Sequence, residues 1–321
     1  MHKIILWYNR NRKLIWGIIG ITVIAIILVK AIEYIWTQNK KQEQDEMIGY
    51  GNNTEVELNS ITLDEDKSTI SGESMSKAQT NVLTRIDEFI NYCNNSQVDE
   101  AYNLLSEDCK NEMYPTVDEF KQNYYNKIFE GKKKNISVEN WIGYIYKVKY
   151  MEDALSTGIY NTENTIQDYI TIVWDENDEI KLNINNYIGK QDINKEKNNE
   201  NIDIKVLEKH QYMDYETYTF EITNNSDNTI LLNSSNNTDT MYLEDKNEIQ
   251  YFAYTHELSE AELKLASKET KKIKIKYYNK YSSTRKIENI VFSKIILNYY
   301  AYVNYQNVGY YRDYGVIQID I

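Results

Sequence analysis

The amino-acid sequence predicts an α+β fold class, built as an N-terminal transmembrane helix, an α+β domain and an all-β sandwich. Three observations support this prediction. One uncharged apolar run lies near the N-terminus, helical periodicity dominates residues 81–129, and period-two alternation dominates most of the chain after residue 136. At 321 residues the chain has room for one anchor and two domains of ordinary size.

The N-terminal segment 14–36 is predicted to cross a membrane. Residues 14–29 read LIWGIIGITVIAIILV without a charge, and the apolar character resumes after Lys30. About 20 residues span a hydrocarbon core, and a lysine near the end of the span can extend its ammonium to the interface. A cleaved signal peptide is the alternative, because Val29-Lys30-Ala31 fits a small-x-small cleavage site.

The charges beside this segment predict its orientation. Acidic residues dilute the lysines that follow the span, whereas the tail, residues 1–13, contains basic residues and no acidic one: Lys3, Arg10, Arg12 and Lys13. The positive-inside rule therefore makes the tail cytoplasmic and residues 37–321 extracellular. The expected location is the cell membrane, and the lipid bilayer is an expected partner through residues 14–36.

Residues 37–80 are predicted to be an acidic polar tether. They contain few large apolar side chains and many Gln, Glu, Asp, Asn, Ser and Thr residues, so that they cannot form a core. One short extended piece is predicted within them, at Val56–Leu63.

Residues 81–190 are predicted to form an α+β domain. Apolar residues recur at helical spacing over Val82–Cys93 and Val98–Leu105. Thr116, with Glu119 three residues later, has the spacing of a capping box at the start of a third helix. Four strand candidates follow: Ile136–Tyr150, Leu155–Tyr160, Tyr169–Trp174 and Ile180–Tyr187.

The charged, Asn-rich residues 191–201 are predicted to be a linker, and residues 202–321 a β-sandwich domain. Apolar residues alternate with charged ones in several short segments, which turn clusters such as Asn224–Asn228 separate. Six to eight strands over about 120 residues are typical of a sandwich. Ser259 and Glu262 have capping-box spacing and predict one helical turn.

Two stretches carry family resemblances. Phe89–Phe129, FINYCNNSQVDEAYNLLSEDCKNEMYPTVDEFKQNYYNKIF, resembles the helical half of the cystatin-like, nuclear transport factor two-like superfamily, which implies a curved sheet and a cone-shaped interior. Tyr218–Ile230, YTFEITNNSDNTI, with the turn Ser267–Thr270, resembles the immunoglobulin-like modules of secreted Gram-positive lipoproteins. Together they resemble membrane-anchored surface proteins of unknown function from clostridia.

The predicted topology is also similar to that of the small scaffold subunit of conjugation and type IV secretion machines. That subunit has a cytoplasmic N-terminus, one span and an exported cystatin-like domain. The predicted sandwich departs from the pattern, because the Gram-positive relatives of that subunit commonly carry a second cystatin-like domain.

The two cysteines, Cys93 and Cys109, are predicted to lie outside the membrane, where a disulfide can persist. They are sixteen positions apart, with no C-x-x-C motif and no nearby histidine that would lower a thiol pKa. Redox chemistry is therefore not indicated, and a structural bridge and two free thiols both remain open.

No catalytic, metal-binding or cofactor-binding motif occurs, so that no cofactor or metal is expected. The superfamily resemblance implies that an enzyme would use a His or Asp base within the cone. No histidine lies between residues 81 and 190, which leaves Asp153 and Asp168 as candidate carboxylates. The acidic run Asp175–Glu179 begins like a calcium loop, but Ile180 stands where that loop requires glycine.

Two groups of aromatic residues are candidate binding sites. The first could line an apolar pocket in the cone or simply be packed in the core: Trp141, Tyr144, Tyr146, Tyr169 and Trp174. The second crowds a hairpin predicted around Asn304–Gly309, and forms a surface patch if half of its members point outward: Tyr299, Tyr300, Tyr302, Tyr305, Tyr310 and Tyr311.

The function expected from these features is that of a non-enzymatic, membrane-anchored extracellular scaffold or binding protein with a protein partner at the cell surface. The net charge of −13 argues against nucleic acid as a partner. The alternatives are a structural subunit of a conjugation or secretion apparatus and an enzyme with a small-molecule pocket in the cone.

Overall fold

The computed structural model describes residues 77–152, 165–233, 239–305, 311 and 313–321, together with Lys30 and the pair Ile61–Thr62. These residues are mostly β, with 46% in strands and 25% in helices. The predicted α+β class is therefore wrong. No helix among them is long and apolar enough to cross a membrane, and the predicted span 14–36 lies outside them except for Lys30.

The helices are short apart from the first. A π-helical turn, Lys121–Tyr125, joins the fourth to the fifth, and a 3₁₀ turn covers Thr255–Glu257. The helices are α1 (Lys77–Asn94), α2 (Val98–Asn103), α3 (Glu107–Met113), α4 (Val117–Phe120), α5 (Asn126–Ile128), α6 (Glu260–Leu263) and α7 (Tyr299–Tyr305).

Local capping explains where three helices begin. Both capping boxes are confirmed: Thr116 exchanges bonds with Glu119 at the start of α4, and Ser259 with Glu262 at the start of α6. Ser106 caps α3 by accepting a bond from the Cys109 amide.

The strands are fifteen among the described residues and all pair antiparallel. They are β1 (Ile61–Thr62), β2 (Lys134–Ile142), β3 (Ile145–Glu152), β4 (Ile166–Trp174), β5 (Ile180–Asn183), β6 (Tyr187–Asn198), β7 (Ile202–Tyr212), β8 (Glu216–Asn224), β9 (Ile230–Leu231), β10 (Met241–Asp245), β11 (Gln250–Phe252), β12 (Lys264–Leu265), β13 (Thr270–Tyr277), β14 (Ile287–Ile296) and β15 (Tyr314–Asp320).

The first sheet is a meander in the order β1-β2-β3-β4-β5, and helices α1–α5 pack on one of its faces. The predicted single strand Ile136–Tyr150 is wrong, because the chain reverses between β2 and β3. Gly143 has φ +55°, a left-handed conformation that glycine adopts without steric cost and that allows the tight turn. The predicted strand Leu155–Tyr160 lies outside the described residues.

The segment predicted as a linker lies within a long hairpin. Residues 191–198 continue β6, which pairs with β7 from Tyr187–Tyr212 at one end to Asn198–Asp203 at the other. Tyr187 and Tyr212 belong to the core under α1–α5, whereas Ile202, Ile204 and Val206 belong to a second core. The hairpin therefore connects the two cores without a linker.

The second core lies between two sheets. One has the order β13-β8-β7-β6, and the other β11-β10-β14-β9-β12, with β15 also paired to β14. A bridge between Ala253 and Tyr277 joins the two sheets at one side. The alternating apolar residues of β7, β8, β13 and β15 point into this core, as their period predicts.

We call α1–α5 with β1–β5 the helical half, and the two sheets β6–β15 the two-sheet half. Described residues between 77 and 281 and between 285 and 321 belong to one compact unit. The boundaries predicted for the domains stay predictions.

Candidate functional site

The five aromatic residues predicted to line a pocket do not converge on one. Tyr146 lies on the helix-facing side of the sheet and is buried. Trp141 and Tyr169 pack edge to face on the other side, where the Lys147 ammonium lies 5.5 Å from the Trp141 ring. Tyr144 and Trp174 form an exposed pair at one end of the sheet. The five side chains do not share one space, because the β2–β3 turn and strand alternation send them in different directions.

Within the part of the chain that the structure describes, Asp168 is a buried acid in the interior between the helices and the first sheet. Its Oδ2 accepts hydrogen bonds from the Tyr124 hydroxyl at 2.8 Å and the Asn185 amide at 3.0 Å, and its Oδ1 accepts one from the Asn186 amide at 2.9 Å. The Tyr124 and Tyr150 hydroxyls lie 2.8 Å apart. All three donors to the Asp168 carboxyl belong to the protein, and Asp168 therefore holds Tyr124 and the backbone at Asn185 and Asn186 in place.

The anchored structure is the β5–β6 turn. Asn185 and Asn186 have φ of +58° and +63°, the left-handed pair of a two-residue hairpin turn. Both amides of this turn point at Asp168, and their bonds partly offset the cost of burying its charge. Burial remains the dominant effect and raises the pKa of the Asp168 carboxyl. The other candidate carboxylate, Asp153, lies outside the described residues.

Cys93 and Cys109, for which the sequence leaves a bridge and two free thiols open, are free thiols in the structure. Both are fully buried in the core of the helical half, Cys93 in α1 and Cys109 in the first turn of α3. Burial raises the pKa of both thiols, that of Cys109 to about 12. They behave here as small apolar core residues.

Four of the tyrosines predicted to surround a hairpin lie instead on α7, and Tyr311 lies three residues before β15. The hairpin prediction is wrong for residues 299–305, which are helical. Asn298 supports the helix, since its side chain accepts a hydrogen bond from the Ala301 amide. Tyr310 lies outside the described residues.

About half of these tyrosines hold α7 in place. Tyr302 is buried and packs edge to face on Tyr311, whose hydroxyl accepts a hydrogen bond from the Asn298 amide at 2.9 Å. The Tyr299 hydroxyl donates to Glu260, and the Lys264 ammonium lies 4.5 Å from the Tyr299 ring. The helix is thereby held against α6, Lys264 of β12 and Tyr311.

Three large side chains of α7 are exposed to solvent. Tyr300 is 68% exposed, Val303 41% and Tyr305 53%. The sequence of this helix, YYAYVNY, contains no charged residue. We call Tyr300, Val303 and Tyr305 the α7 surface, and it is the candidate functional site that the described residues support best.

A polar network joins the two halves. Glu112 of α3 is nearly buried and accepts hydrogen bonds from the Tyr212 hydroxyl at 2.5 Å and from the Lys274 ammonium at 2.6 Å. His210, also buried, lies 3.6 Å from Glu112 through Nδ1 and 3.5 Å from Glu208 through Nε2. The sequence gives no signal for this network, since Glu112 and Lys274 are 162 positions apart.

Comparisons with protein-family models, with curated proteins and with solved structures found no match to this chain. The resemblances to the cystatin-like superfamily and to immunoglobulin-like modules therefore stay predictions.

Proposed function

We propose that this chain is a non-enzymatic binding protein that contacts a protein partner through the α7 surface. The observation that carries the proposal is the exposure of Tyr300, Val303 and Tyr305 on a short helix that contacts of Tyr299 and Tyr302 hold in place. Tyrosine supplies a large contact area and loses little conformational entropy on binding, which is why it is enriched at interfaces.

The contacts between the two halves favour a role in binding. The β6–β7 hairpin spans both cores, and Glu112 ties α3 to β7 and β13. A contact surface on this body is therefore presented without the cost of ordering a loop when a partner binds.

The interior of the helical half supports a binding protein better than an enzyme. A catalytic carboxylate in the cone would need access to a substrate, whereas Asp168 is bonded to Tyr124, Asn185 and Asn186. The raised pKa of Asp168 follows from burial, which also occurs at structural positions.

Site-specific photo-crosslinking tests the proposal. The photoreactive residue p-benzoylphenylalanine replaces Tyr300 in the full chain within the cells that produce it. We expect a discrete adduct with another protein, and loss of that adduct when Val303→Asp places a charge beside it.

Ile249, which is 52% exposed in the β10–β11 turn, provides the control position. An equal yield of the same adduct from position 249, or no adduct from position 300, would overturn the proposal.

A further inference from the structure

The β4–β5 and β10–β11 turns have the same backbone geometry. In the first, Asp175 Oδ1 accepts hydrogen bonds from the Asn177 and Glu179 amides at 2.9 and 3.0 Å. In the second, Asp245 Oδ1 accepts the equivalent bonds from Asn247 and Ile249 at 2.8 and 3.0 Å. The fourth residue of each turn has positive φ, +59° at Asp178 and +62° at Glu248. The two turns therefore differ mainly in the side chains they carry.

The β4–β5 turn borders a groove that lies against α1. The groove has a volume of about 330 Å³ and is lined by residues that include Asn81, Arg85, Glu88, Asp178, Glu179 and Ile180. Both apolar and charged side chains thus face this space.

An exposed aromatic pair lies beside the same turn. Trp174 is the cross-strand partner of Ile180, which lines the groove. Its ring meets that of Tyr144 at 4.7 Å and 77°, and the two side chains are 44% and 59% exposed. The faces of such rings attract cations, more strongly for tryptophan and tyrosine than for phenylalanine.

The charge around the groove is negative. Arg85 is paired with Glu88 at 2.8 Å, and Lys181 with Glu179 at 3.1 Å. Asp178 and Glu176 have no ion-pair partner among the described residues. The site therefore keeps an excess of carboxylates beside two aromatic faces.

We infer that this groove and the Tyr144–Trp174 pair form a docking site for a basic segment of a partner protein, one that presents lysine or arginine side chains. The carboxylate of Asp178 receives one cationic side chain, and the ring faces of Tyr144 and Trp174 receive another. This site is separate from the α7 surface and does not depend on it.

A fluorescent hexalysine peptide with blocked ends is the probe, and fluorescence anisotropy with the full chain at about 0.15 M salt is the measurement. Exposed ion pairs and exposed cation–π contacts each contribute up to about 1 kcal/mol, or roughly fivefold in affinity. We expect Asp178→Asn to weaken binding about three- to fivefold, and Trp174→Ala to weaken it about threefold.

Glu248→Gln is the matched control, because it removes one charge at the equivalent position of the β10–β11 turn. We expect it to leave the affinity within about 1.5-fold, the range for loss of a remote surface charge. Two results would overturn the site, because each would mean that the peptide is attracted to an acidic protein in general. One is equal weakening of binding by Glu248→Gln. The other is unchanged binding by a Trp174→Ala variant whose thermal unfolding is also unchanged. Tyr144→Ser replaces Trp174→Ala if the latter unfolds.

Discussion

Asp168 combines a buried charge with a specific structural task. Its carboxylate accepts bonds from one tyrosine hydroxyl and two turn amides, yet burial still raises its pKa. The folded state therefore holds the proton of Asp168 more tightly than the unfolded state does. The contribution of Asp168 to the free energy of unfolding is greatest when its carboxyl is protonated. It begins to fall as pH rises above about 3.9, the pKa of Asp in the unfolded chain, and it is lost as pH passes through the higher pKa of the folded state.

We expect Asp168→Asn to destabilise the protein by about 2 kcal/mol at pH 5, because the side-chain NH2 of Asn replaces one of the two acceptor oxygens and leaves a buried donor without its hydrogen bond. The stability advantage of the wild type over this variant should shrink as pH rises from 4 toward 7. Urea unfolding of both proteins from pH 4 to 7 measures this advantage. Tyr124→Phe is a further variant, which removes one donor to Asp168 but keeps its carboxyl. An advantage that grows with pH would contradict the raised pKa.

The two cysteines illustrate how burial changes the chemistry of a side chain. Cys93 and Cys109 lie in the same core as free thiols, and their raised pKa values disfavour the reactive thiolate.

We expect neither thiol of the folded protein to react with Ellman's reagent at pH 8 within minutes, and both to react after unfolding in guanidinium chloride. Absorbance of the released thiolate measures the reaction. Rapid labelling of the folded protein would contradict the burial of both residues, and no labelling of the unfolded protein would mean that the two are bonded.

The β6–β7 hairpin is the element in which composition and structure disagree most. Residues 191–198 are charged and rich in Asn, as linkers are, but their backbone pairs with β7. As an edge strand, β6 carries charged side chains such as Lys190 and Asp192 on its exposed side, which protects a sheet edge from pairing with other chains.

Hydrogen exchange distinguishes the hairpin from a linker. We expect β6 amides that donate to β7 to exchange at least about 100-fold more slowly than an unstructured chain, because they open only when the hairpin does. Mass spectrometry of peptides covering residues 187–198 measures this, and the same peptides from the chemically unfolded protein provide the reference rate. Exchange of residues 191–198 at the unstructured rate would contradict the strand.

The molecule as a whole depends on contacts between its halves. Glu112 connects α3 with Tyr212 of β7 and Lys274 of β13, and its side chain is only 12% exposed. Removing a nearly buried partner leaves the other polar groups without their bonds, which costs more than the net value of the bonds themselves.

We expect Glu112→Ala to lower the free energy of unfolding by about 1–3 kcal/mol. Glu107→Ala is the matched control, since Glu107 belongs to the same helix and is paired with Lys110 but is 80% exposed. We expect that control to cost less than about 1 kcal/mol. Chemical unfolding measures both, and equal losses would mean that Glu112 does not couple the halves.

The location of the protein stays a prediction from the charge bias around residues 14–36, which lie outside the described residues except for Lys30. Whether the two halves are separate domains stays a prediction as well, and the shared hairpin shows how closely they are joined.

Local signals in the sequence determined several elements correctly. The capping pairs Thr116–Glu119 and Ser259–Glu262 satisfy backbone groups within one turn, and alternation in β7, β8 and β13 follows from the period of a strand. Such signals depend on residues a few positions apart, so they can be recognised in the sequence without knowing which distant residues come into contact.

Only the tertiary structure decided the rest. Whether 191–198 is a linker or a strand depends on hydrogen bonds with β7, and the five aromatic residues predicted to line a pocket do not share one space because a turn at Gly143 redirects the chain. Glu112, Tyr212 and Lys274 meet because the two halves pack together. These outcomes are set by pairing and burial between distant segments, whose energies no local pattern of residues encodes.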